Sequence, residues 1–146
     1  MIKLDQSYVN TDKSNLSKFK SDKEKRSKLI KKNFELLIKK TKQTGFPNVF
    51  LGQPNKDSCM NGAVTMTMIH TAQTSPDKFY GNTIAELFKI ELVNGNLDKE
   101  LLKRSSIVTA MTIELCDNLK PRIEKTLELW DLDKDIFKQA EFINCE

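Results

Sequence analysis

The chain has 146 residues, 38% of them apolar and 30% charged, and carries a formal net charge of +4. A chain of this length suits one domain whose core needs neither a metal nor a disulfide framework. No stretch approaches the roughly 18 apolar residues of a membrane span, Met1–Ser21 lacks an apolar signal core, and Cys59, Cys116 and Cys145 form no C-x-x-C motif. The expectation is a cytoplasmic protein with reduced thiols and no cofactor. Charge is uneven. Residues 1–43 hold 13 Lys or Arg against five Asp or Glu, whereas residues 44–146 hold 11 against 15. One end of the molecule should attract anions.

Residues 1–20 read as a flexible polar arm, because Ile2, Leu4, Tyr8, Val9, Leu16 and Phe19 follow no steady period. Residues 21–146 read as a single helical domain. Ser21-Asp22-Lys23-Glu24 fits a capping box, and Ile30, Phe34 and Leu37 form the apolar stripe of the helix that follows. Gly45 and Pro47 end it. Five of the nine Gly and Pro residues fall in 44–62, which marks a long loop where Phe46, Val49, Phe50 and Leu51 could pin to a core.

Residues 63–72 alternate Val64, Met66, Met68 and His70 with Thr65, Thr67, Ile69 and Thr71, which suits a strand. Val64, Met68 and Ala72 also sit at helical spacing, and a lone strand would leave its backbone unpaired, so the helix is preferred. Ser75-Pro76 opens a short helix. Thr83–Glu86 is a second capping box, and Asn94-Gly95 stops its helix. Leu97, Leu101, Val108, Met111, Leu115 and Leu119 continue one face as far as Pro121. Ile123, Leu127 and Trp130 mark a helix after Pro121, and Ile136, Phe137, Ala140 and Ile143 a last one beyond the Asp131–Asp135 break. The fold class is all-α: a compact bundle of five to seven helices with a flexible basic N-terminal arm.

The strongest chemical signal is the basic stretch 18–42, with 11 cationic residues against Asp22, Glu24 and Glu35. Lys18, Lys20, Lys25, Arg26, Lys28, Lys32, Lys39 and Lys42 are candidates for contact with nucleic acid or an acidic partner. Ten of the eleven are lysine, and only Phe19 and Phe34 fall nearby, Phe34 on the apolar stripe, so any nucleic-acid contact should be non-specific. A solvated lysine face is the plain alternative.

His70 is the single histidine. A Cys59 nucleophile with a His70 base is conceivable, oriented by Asn55, Asp57 or Asn61, but a core or surface histidine is the simpler reading. Asp131, Asp133 and Asp135 start like a calcium loop, yet Ile136 and Phe142 stand where Gly and Glu are required. No phosphate-binding glycine motif is present. The leading expectation is a non-enzymatic helical interaction protein that binds a protein partner or self-associates, through a patch at Phe46, Phe50 and Met60. A non-specific nucleic-acid-binding protein is the alternative, and a Cys–His enzyme a lesser one.

Overall fold

The computed structural model describes residues 16–47, 58–112 and 114–146, with side chains from Lys20 and from Asn61 onward in the first two stretches. The described residues form six α-helices: α1 (Leu16–Thr44), α2 (Ser58–Thr74), α3 (Pro76–Phe79), α4 (Asn82–Val93), α5 (Lys99–Ala110) and α6 (Lys120–Leu129). Two short strands, β1 (Leu115–Cys116) and β2 (Phe142–Ile143), pair in parallel with Leu115 opposite Phe142 and Cys116 opposite Ile143.

Helix α1 begins at Leu16, five residues before the capping box. No Gly or Pro lies between Leu16 and Thr44, so nothing obliges the helix to start at Ser21, and Ser21 and Glu24 sit inside it. Residues 1–15 of the expected arm lie outside the described residues. The helix buries Ile30, Phe34, Leu37, Ile38 and Thr41. It stops at Gly45, whose φ of 84° and N–H bond to the Thr41 carbonyl make an αL cap.

Residues 63–72 are helical. α2 packs against both α1 and α5, so two of its faces are covered and the period of a one-sided helix is lost. Val64, Met68 and Ala72 point into the core. Thr67, Thr71 and Thr74 donate their hydroxyls to the carbonyls four residues back, at 2.7–2.8 Å, which satisfies these hydroxyls without leaving the helix.

Pro76 opens α3 as expected. Helix α4 starts at Asn82 with Gly81 as its cap residue, and Thr83 makes no capping bond. The run from Leu97 does not reach Leu119: α5 ends at Ala110, and Met111 is exposed. Nor does a helix form over Ile136–Ile143, where a 3₁₀ turn (Lys134–Phe137) is followed by β2. The cause is the same in both places. The Leu115 N–H bonds to the Glu141 carbonyl at 3.3 Å, so two segments remote in sequence take each other's backbone groups and override local helix period. Cys116 and Cys145 fasten the same junction as a disulfide with Cα atoms 5.4 Å apart, which overturns the expectation of three reduced thiols.

The core is aromatic. Phe34, Phe46, Phe79, Tyr80, Phe88, Trp130 and Phe137 are all buried and form nine ring pairs with centroids 5.1–6.5 Å apart. The polar atoms in it are satisfied locally. Trp130 Nε1 donates to the Ala85 carbonyl at 2.9 Å. The Tyr80 hydroxyl lies 3.1 Å from both Ser106 Oγ and Thr109 Oγ1, and Thr109 donates to the Ala72 carbonyl at 2.9 Å. This chain of hydroxyls ties the end of α2 to α5 through α3's last turn. Burial pushes the Tyr80 phenol up to about 12, with the two hydrogen bonds opposing the rise.

A buried carboxylate fixes the exit of α1. Glu91 Oε2 accepts from the Phe46 N–H at 2.7 Å and from Asn96 Nδ2 at 3.0 Å. The backbone carbonyl of Glu91 takes the Asn96 N–H in the turn closed by Gly95, at φ 76°. Two helix stops therefore converge on one residue. A Cβ at Gly45 would stand 3.2 Å from Asn96 Nδ2 and 3.3 Å from Glu91 Oε2, so a larger residue would press on both side chains in addition to the strain of its positive φ.

Candidate anion-docking face

A helix advances 100° per residue, and on that wheel Lys25, Lys28, Lys31, Lys32, Lys39 and Lys42 fall within an arc of about 120°. The buried stripe of Ile30, Phe34, Leu37 and Thr41 lies on the opposite side. Core packing of α1 thus dictates that the lysines face solvent. All six are exposed, and none forms an ion pair with a described residue. From Lys25 to Lys42 the arc runs about 25 Å along the helix. Glu24 and Glu35 lie within it, and Glu35 Oε1 is 3.9 Å from Lys78 Nζ on α3.

The other expected basic residues are placed as follows. Lys20 is exposed at the edge of the arc, and Arg26 is half-buried, off the arc and engaged in an interaction of its own. The Lys18 side chain lies outside the described residues. The arrangement offers flexible point charges in a row and no planar fork, which suits phosphate or carboxylate contact without reading of base edges.

Of the expected protein-partner patch only the Phe46 side chain is described, and it does not lie at the surface. Phe46 is buried, with 4% of its surface exposed, and packs edge-on against Phe88 at 6.0 Å. It is drawn in because Glu91 holds its backbone N–H beside the core. Phe50 lies outside the described residues, as does the side chain of Met60. The Cys59–His70 pair does not form. Both residues belong to α2, 11 positions apart, which separates them by about 16 Å along the axis. That is far beyond the roughly 3 Å that proton transfer needs. His70 is instead a buried helix residue. Asp133 serves as a cap, accepting from the Asp135 N–H at 2.9 Å. Among the described residues there is no group of three or more metal-ligating side chains, and no helix is long and apolar enough to cross a membrane.

One feature of this face could not be read from spacing. At the C-terminal end of the arc, Phe34 and Ile38 of α1 and Ile84 of α4 floor a groove of about 490 Å³, rimmed by Lys39, Lys42 and Lys78. No protein-family model, curated protein or solved structure matches the chain.

Proposed function

We propose that the protein is a non-enzymatic helical module that docks on polyanions, with the phosphate backbone of nucleic acid as the class its lysine arc fits. The observation that carries this reading is the row of exposed lysines along α1 that form no ion pair with a described residue. Neutralising phosphates with such a row releases counterions and makes affinity fall with salt. The wide spacing, and the absence of an exposed aromatic among the described residues of the arc, support binding without sequence preference. Burial of Phe46 takes one of three residues away from a protein-partner patch there. A cytoplasmic home agrees with a nucleic-acid partner, although reducing thiol pools there oppose the Cys116–Cys145 bond.

The test is fluorescence anisotropy with labelled mixed-sequence DNA and RNA at 50 and 200 mM salt. Four engaged lysines give a logarithmic slope near −3.6, so affinity for duplex DNA should fall about 100-fold over that range. The variant with Lys25, Lys28, Lys32 and Lys39 all changed to Glu should fold and lose binding. Retained affinity in that variant, or no binding by the parent at low salt, would end the proposal.

A further inference from the structure

We infer that the groove between α1 and the α3–α4 corner is a second docking site, whose occupant is an acidic amphipathic helix of a protein partner. This does not rest on the phosphate-docking role of the lysine arc. It stands on the juxtaposition of an apolar floor with basic walls on both sides.

The floor is formed by Phe34 and Ile38, one turn apart on α1, and by the half-buried Ile84 from the first turns of α4. Its volume of about 490 Å³ lies within the roughly 300–1,000 Å³ of ligand-binding clefts. Lys39 and Lys42 stand along one wall and Lys78 of α3 on the other. Glu35 is the single acid of the lining and is paired with Lys78, so the rim keeps a positive balance.

Charge and shape select the occupant together. A nucleic-acid backbone would use the rim but leave the apolar floor wet. A neutral apolar segment would fill the floor but leave the lysines unanswered. A helix with apolar residues at i, i+3, i+4 and i+7 fills the floor, and Asp or Glu on both flanks of that stripe reach the two walls. From Phe34 to Lys42 the groove follows about 12 Å of α1, so two to three turns of the partner suffice.

The experiment uses the full chain and a fluorescein-labelled 16-residue peptide, with Leu on one stripe and Glu on both flanks. A second peptide carries Lys in place of every Glu. The acidic peptide should bind, more weakly as salt rises, and the basic one should not. Ile84→Asp should abolish binding while leaving the lysine arc of α1 untouched. Because that variant alters a half-buried site, Lys78→Glu provides the surface counterpart and should weaken binding about tenfold with an unchanged circular dichroism spectrum. Equal binding of the two peptides overturns the inference, as does undiminished binding of the acidic peptide by folded Lys78→Glu. Loss of DNA binding with peptide binding intact would sink only the phosphate-docking role.

Discussion

From Lys20 to Leu29, α1 buries no side chain, whereas from Leu115 to the C-terminus short irregular segments flank α6 and are held by a strand pair, a disulfide and the buried Trp130 and Phe137. The first region is regular in structure with no core of its own. The second is irregular in structure yet strongly fastened. Regularity and stability are therefore separate properties in this molecule. The first half of α1 is helical because its Lys, Glu and Arg are good helix formers and because Ile30–Thr41 anchor the following turns. The segments on either side of α6 are ordered by contacts between residues far apart in sequence.

The contrast can be tested most forcefully at the disulfide. Cys116 and Cys145 are 29 positions apart, and opening a loop of that size should cost roughly 3.5 kcal/mol in the chain-entropy account. Cys145→Ser should lower the denaturant midpoint accordingly, with far-UV helix content nearly unchanged. A shift below about 1 kcal/mol would mean that the C-terminal region does not depend on its fastening.

The next effect concerns Tyr80, which joins α2, α3 and α5 at the centre. Its phenol has a raised pKa in the folded protein, so its contribution is complete below about pH 10 and is lost as pH rises toward 12. The full loss is roughly 2–3 kcal/mol. Tyr80→Phe should be less stable by about 1 kcal/mol at neutral pH and should lack this alkaline component. Guanidinium titrations at pH 8 and pH 11 would resolve the two.

A glycine in the exposed arm should matter less. Ser27→Gly costs about 0.5 kcal/mol of local helix stability, and no buried side chain between Lys20 and Leu29 passes that loss to the core. Amide exchange ahead of Ile30 should accelerate while the melting temperature holds. A drop of several degrees would show that the arm is coupled to the core after all.

The smallest effect is expected at Lys99. Its ammonium, 2.8 Å from Asp131, holds that carboxyl below its ordinary value by hydrogen bonding and charge. Both groups are well exposed, so Lys99→Ala should alter stability only slightly. Because the carboxyl pKa is lowered, that contribution is present above the ordinary carboxylate range and disappears as pH falls through it.

Much of this could be read from the sequence, and the failures share a cause. The stripe of α1 and its lysine arc follow from spacing within one helix, and the stop at Gly45 from residue type. α2 was ambiguous because burial on two sides erases a one-sided period. The helix after Pro121 forms as its spacing implies, but residues 136–143 read as a further helix because Ile136, Ala140 and Ile143 keep helical spacing, while the pairing of Leu115 with Phe142 leaves no local mark. Nothing in the local spacing around Glu91 marks it as buried, and only the fold brings the Phe46 N–H to its carboxylate. The groove was hidden for the same reason: Lys78 and Ile84 join Phe34 and Ile38 across three elements.

Trp130 is the single tryptophan of the chain, and it is 1% exposed with ring contacts to Phe79, Tyr80 and Phe88. Its emission is thus a built-in optical gauge placed where α3, α4 and α6 meet. Tyr80 sits 5.9 Å from it, close enough for tyrosine excitation to be passed on to the indole. Loosening of the aromatic centre should therefore show twice in one spectrum, as a red shift of the indole band and as the return of tyrosine emission.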